Sequence, residues 1–356
     1  FLYFIAVPST ATAMSFAAIL EGSNLDTVGR RIAAVVSRMA GDDGALIARD
    51  VLAHVEPLLA TCRNAIAVGN VPVVEATVAA LRHVVDADPP ALIRRLTDNG
   101  MRLFHAVASF FTPIVAQGNF GPAAAVDLLH SLQIITTAPG AKDVAGDTLA
   151  APLSDFLARG VPDVTDPHLL RRRAVSCLLN LVQGHAQNKE RLRAHLPQLA
   201  RAVAQAPEFF VQVQAAELVW RITRVHKAWL ADPAVAAALG PSLRADLAAL
   251  PANDQLINNL ITLLQAHNDT VPESASARIV TLSCDGVEAR LKQGTEEVQA
   301  KRRIAGETTA FLSQSALVIL LPEHGACEQL TIPLHTIASA KLHTDATFVV
   351  RLSAAP

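Results

Sequence analysis

Ten basic residues crowd one stretch of this chain. Arg171-Arg172-Arg173 is followed by Lys189, Arg191, Arg193, Arg201, Arg221, Arg224 and Lys227, with only three acidic residues between positions 168 and 230. The flanks are balanced the other way: residues 1–167 hold 11 basic and 16 acidic groups, and residues 231–356 hold 9 and 13. Guanidinium and ammonium groups carried on stacked helices form a stripe that attracts phosphates or an acidic peptide. The alternative is a solvated helix face on which arginine stems cover apolar surface. Only Trp220 and Trp229 lie nearby, so the aromatic platform needed to stack single-stranded bases is thin.

Three further polar or aromatic residues recur at matching places. Asn180, Trp220 and Asn259 fall 39 or 40 residues apart inside similar apolar phrases. An amide on the concave side of stacked helices holds the backbone of an extended ligand, or else ties down a neighbouring turn of its own chain. Trp220 standing where an Asn would serve fills the groove instead, which argues against a continuous peptide-binding ladder.

Catalytic signatures are missing from the sequence. It has no nucleophile elbow, P-loop, HExxH, dinucleotide fingerprint or Cys/His metal spacing. The 12 histidines are scattered, and His83 and His130 read as groove or surface residues of helices. Asp42-Asp43 and Glu296-Glu297 sit at loop or helix-start positions, where carboxylates favour the helix dipole without a catalytic partner. The reading is a non-enzyme with no cofactor. Cys62, Cys177, Cys284 and Cys327 are widely spaced, and the first three lie in or beside apolar runs, as in a protein of a reducing compartment.

The elements that position the basic and groove residues are helices. Cys177 to Val182 is echoed by Glu217 to Ile222 and by Ile257 to Ile261. A recurrence of about 40 residues in 3.6-period apolar stretches marks an armadillo/HEAT-like α-solenoid. Composition agrees, with 51% hydrophobic and 4% aromatic residues. Asn24 caps a helix carrying Val28, Ile32, Val35 and Met39, and one from Asp42 carries Leu46, Ile47, Val51, Val55, Leu58 and Leu59. Pro72 and Pro89-Pro90 start two more. Later helices are expected over 122–135, 148–157, 167–182, 188–203, 209–225 and 234–264. Residues 1–13, apolar and then rich in small residues, read as a leader or gene-model extension, because they precede Met14 and lack a basic start.

Beyond residue 270 the texture changes. Residues 271–304 read as a linker with an extended segment at 279–284 and a short helix at 287–293. From 305 to 356 the period becomes two, with strands expected over 308–313, 316–321, 328–332, 337–343 and 348–352. Five strands with no closing helix form an incomplete antiparallel β unit, so the chain reads as part of a longer protein. The first loop of this unit, Ser313-Gln314-Ser315, is uncharged and unsuited to phosphoinositides. No membrane role is expected.

Several of these segments resemble one family when taken in order. Phe210 to Thr223 is similar to its penultimate helical repeat, Ile257 to Leu264 to its last, and Arg278 to Cys284 to the segment joining two domains. An apolar strand, an acidic-Gly turn and Leu330-Thr331-Ile332-Pro333 follow. This order resembles the N-terminal region of synaptonemal complex protein 2-like proteins, including related kinetochore proteins of kinetoplastids. The resemblance implies an armadillo-like domain followed by a pleckstrin-homology-like domain similar to that of the FACT large subunit. It implies a nuclear, chromosomal scaffold at the kinetochore or chromosome axis, whose partners are other chromosomal proteins. A synaptonemal complex protein 3-like subunit would join through a further C-terminal region. Histones or the DNA backbone are the alternative partners, and a cytoplasmic solenoid adaptor is the reading from a different class.

Overall fold

The computed structural model describes residues 15–21, 24–159, 167–206, 208–272, 279–293, 296–313, 316–323, 326–342 and 348–352. The expected leader at 1–13 lies outside them, as do Gln314 and Ser315. The chain divides into two compact units, residues 1–156 with 160–181, and residues 157–159 with 182–356.

The helices of the first unit are α1 (Phe16–Leu20), α2 (Leu25–Met39), α3 (Gly44–Ala53), α4 (Val55–Val68), α5 (Val71–Ala87), α6 (Pro89–Thr97), α7 (Arg102–Ser109), α8 (Gly121–Ile135), α9 (Lys142–Ala158) and α10 (Pro167–Val182). The starts of α2, α5 and α6 are written in capping residues. The Asn24 side chain accepts from the N–H groups of Asp26 and Thr27, and Asp88 accepts from Ala91. Asn70 accepts from Val73, beside Pro72 in the first turn of α5. The stripe Val28, Ile32, Val35 and Met39 is buried as the period requires. Gly29 permits the close approach of α2 to α5, since a Cβ there would meet Val73 Cγ2 at 2.9 Å. The helix expected from Asp42 breaks at His54 into α3 and α4. Leu46 is 65% exposed, because Ala48 and Val51 face inward in its place.

Helices α2, α5, α8 and α10 succeed one another as repeat members, and side chains join neighbours 44 to 47 residues apart. Asn70 donates to Asp26 at 2.8 Å, and Arg82 to Asp127 at 2.7 Å. Asn180 donates to the Gln133 carbonyl at 2.8 Å. Asp26 and then Gly29 of α2 meet Asn70 and then Val73 of α5, and Arg82 and then Asp86 of α5 meet Asp127 and then His130 of α8, so α2, α5 and α8 run parallel.

The second unit continues with α11 (Ala186–Arg193), α12 (Leu196–Gln205), α13 (Phe209–Thr223), a 3₁₀ turn (Lys227–Ala231), α14 (Pro233–Leu239), α15 (Pro241–Ala249) and α16 (Leu256–Thr270). The helices expected over 188–203 and 234–264 are each divided. Pro197 opens α12, while Gly240, at φ 75°, ends α14 immediately before Pro241 opens α15. A proline lacks the N–H that a continuing helix would need.

Six strands follow: β1 (Val280–Gln293), β2 (Glu296–Leu312), β3 (Ala316–Glu323), β4 (Ala326–Pro333), β5 (Ile337–Leu342) and β6 (Phe348–Leu352). The first four form an antiparallel sheet in the order β1-β2-β3-β4, and β5 pairs with β6. The linker expected over 271–304, with its helix at 287–293, is overturned by the long β1–β2 hairpin. Val287-Glu288-Ala289-Arg290-Leu291-Lys292 alternates apolar and polar residues, and its backbone pairs with β2 from Gly286↔Ala305 to Gln293↔Glu296. Period two governs there, and the expected helix had too little apolar content at 3.6 spacing to compete. A small core of Ala310, Leu317, Ile319 and Ile332 takes in Ile337 and Val350, so the two sheets share one interior. The fold class is a mostly α, armadillo/HEAT-like repeat followed by a small antiparallel β domain.

Candidate functional site

Nine of the ten basic residues of this stretch, all but Arg201, form the candidate stripe, and they fall in different surroundings. Arg171, Arg172 and Arg173 lie on α10 in the first unit, and all three are half-buried. Burial disfavours the charged forms of Arg171 and Arg173. Arg173 is opposed further by Arg82, while Asp127 and Asp86 act in its favour. Those three residues belong to a cross-helix network: Arg82 reaches Asp127 at 2.7 Å and Asp86 at 3.6 Å, and His130 Nε2 sits 2.6 Å from Asp86. The arginine triplet is thus set among the mixed charges of neighbouring repeats.

The other six lie in the second unit, around the C-terminal end of α13. Arg191 donates to Asn188 at 2.8 Å, and Arg193 pairs with Glu190 at 3.1 Å. The Arg193 guanidinium also lies 5.1 Å from the Trp229 ring centre, and His226 stacks on that ring at 4.6 Å. Arg221 is held by Glu217 one turn back, at 2.7 Å. Arg224 stands over the Trp220 ring at 5.7 Å. Lys189 is held below the usual lysine range, first by burial and then by Arg224 and Arg221. Lys189 therefore lies within electrostatic reach of Arg221 and Arg224. Among the described residues, Arg224 and Lys227 make no ion pair.

The candidate groove residues do not occupy equivalent places. Asn180 sits near the end of α10, with its amide donating to Gln133 O at 2.8 Å and Thr136 Oγ1 at 3.4 Å. Trp220 sits near the end of α13, is 5% exposed, and donates from Nε1 to the Leu250 carbonyl at 3.4 Å. Asn259 lies in the first turn of α16 and is half-buried. The 40-residue phrase slips because α10, α13 and α16 begin at Pro167, Phe209 and Leu256, which are unequal steps. Direction changes as well. Gln212, early in α13, exchanges amide hydrogen bonds of 3.0 and 2.9 Å with Asn268, late in α16, while Trp220 reaches Leu250 before α16 begins. Helices α13 and α16 therefore run in opposite directions.

Beside Trp220 the second unit holds a cavity of about 270 Å³. Leu230, Leu247 and Leu250 line it with the indole, and Arg224 and Lys227 stand in the same wall. Neighbouring Val225 is 68% exposed. The leucines were not legible as site residues, because the chain brings them in from the 3₁₀ turn and from the α15 region. A signal did exist in Arg224-Val225-His226-Lys227, a mostly charged run directly after the largely apolar end of α13.

Residues 33–266 match the model of a family described as a repeat of unknown function, DUF8079. The chain belongs to this family. Its DUF8079 region covers the helices from within α2 to within α16 and so holds both the basic cluster and the cavity. Residues 278–356 match a second model, a kinetoplastid PH-like domain, which begins at the β1–β2 hairpin. The fold is similar to a solved structure titled "Synaptonemal complex protein", with a TM-score of 0.55 and 10% identity over 87% of this chain and 79% of that one. An engineered protein is also similar, with a TM-score of 0.47 and 14% identity over 70% of this chain and 93% of that one. No curated protein matches the sequence. Among the described residues of this DUF8079 protein, no helix is long and apolar enough to cross a membrane. No group of three potential metal-ligating side chains occurs among them either.

Proposed function

We propose that this chain is a non-enzymatic scaffold of the kinetoplastid chromosome, recruiting other chromosomal proteins at the kinetochore or the chromosome axis. The observation that carries the reading is the order of parts: DUF8079 helical repeats run directly into a kinetoplastid PH-like domain on one chain. That order is the one the resemblance to synaptonemal complex protein 2-like proteins implies, and the likeness in fold to a structure titled "Synaptonemal complex protein" supports the reading. Repeat helices offer long side-chain surfaces for holding partners, which suits a scaffold.

The test is localisation. The endogenous protein, tagged with a fluorescent protein in a kinetoplastid cell, is expected in discrete nuclear foci that coincide with a kinetochore or axis marker. A diffuse cytoplasmic signal through the whole cell cycle overturns the proposal and favours the solenoid adaptor.

A further inference from the structure

The geometry points to the cavity beside Trp220 as a docking site for a short acidic segment of a partner protein, anchored by one bulky apolar side chain. The inference builds on the scaffold reading only in that the chain holds a partner.

Size is the first argument. At about 270 Å³ the cavity falls below the roughly 300–1,000 Å³ typical of drug-sized ligand sites, which leaves room for a single large side chain. Chemistry is the second. Trp220, Leu230, Leu247 and Leu250 make the lining mostly apolar, as an aliphatic or aromatic anchor requires. The exposed Val225 extends apolar surface from the cavity to solvent.

Charge complementarity is the third argument, and it selects the flanks of the anchor. Arg224 and Lys227 stand in the cavity wall without an acidic partner among the described residues, and Lys189 adds positive potential beside Arg224. Carboxylates on either side of the anchor would be drawn to this end of α13 and fixed in register. A nucleic-acid backbone meets the cations equally well, but it carries no apolar side chain to fill the leucine-lined hollow. The combination favours an acidic peptide.

Selection of displayed short random peptides on the full chain tests the proposal. The expected result is enrichment of Glu or Asp flanking one Leu, Ile, Met or Phe. An R224E/K227E variant should bind the enriched peptides at least about tenfold more weakly, as should A248F, which fills the cavity wall. Both variants are to be confirmed as folded by circular dichroism. The proposal is overturned if no acidic-apolar motif is enriched, or if the enriched peptides bind both variants as well as the parent. It is also overturned if a short DNA duplex binds and only the charge reversal abolishes that binding. Failure here leaves localisation untouched, and cytoplasmic localisation leaves the peptide result standing, so the two readings are separable.

Discussion

Phe209, the first residue of α13, lies face to face with Phe311 of β2, with ring centres 3.7 Å apart and planes inclined by 10°. Phe210 meets the same Phe311 ring edge-on at 6.3 Å. Phe209 and Phe311 are both buried, and the carboxylate of the buried Glu208 caps α13 immediately beside them by accepting from the N–H groups of Phe210 and Val211. The first turn of α13 is therefore a joint between the helical repeats and the β domain within the second unit. Aromatic pairing of this kind adds about 0.5–1.5 kcal/mol to the burial of the rings.

Removing that joint should be costly. F311A is expected to lower the unfolding free energy by about 3–5 kcal/mol, through lost burial, the cavity left behind and the lost stack. Urea unfolding of the full chain, followed by tryptophan fluorescence and by circular dichroism, measures it. A loss below about 1 kcal/mol would mean that the β domain does not depend on this contact.

The Gln212–Asn268 pair makes a sharper case. Both residues are buried, and each amide donates to and accepts from the other at 3.0 and 2.9 Å. Either single change, Q212L or N268L, strands one buried amide and should cost about 1–3 kcal/mol. The double variant Q212L/N268L strands neither and should recover most of that loss. A double-mutant cycle in urea decides, and additive losses would show that the two amides do not depend on each other.

Asn180 is engaged within its own unit. Its amide donates to the last turn of α8, so N180A should destabilise by about 1 kcal/mol. Binding of peptides selected on the parent chain should not change. A folded N180A protein that loses those peptides would give Asn180 a direct binding role.

The thiols provide a test of pH dependence. Burial pushes Cys62 and Cys177 from the ordinary 9.0 up to about 12. The folded values lie above the unfolded ones, so the stability linked to these thiols is fully present below about pH 9 and is lost as pH rises towards 12. The C62A/C177A variant should accordingly lose less stability than the parent between neutral pH and about pH 11. Iodoacetamide at neutral pH should label neither thiol in the folded chain and both after unfolding. Prompt labelling of the native protein would contradict the burial of these sites.

Much of the helical region was legible from local chemistry. Prolines and capping Asn or Asp residues set where α2, α5 and α6 begin, and α10 spans the expected 167–182, because each signal acts within one turn of the chain. The strands from Ala316 onward were equally legible from period two and β-branched content. The β1–β2 hairpin was harder to read, since its polar, charged alternation resembles a linker until a partner strand is supplied across it.

The candidate site divides along the same line. The sequence by itself determined that basic residues crowd between positions 168 and 230 and that Trp220 interrupts a series of asparagines. Local composition and spacing contain that much. Tertiary structure alone decided that α16 turns back along α13, that Gln212 finds Asn268 across 56 residues, and that Leu230, Leu247 and Leu250 close around Trp220. It also decided that Phe311 is the ring beneath which α13 begins. These pairings depend on helix direction and on the unequal lengths of successive repeats. Small differences in turn length accumulate along a stack, and no single window of sequence records their sum.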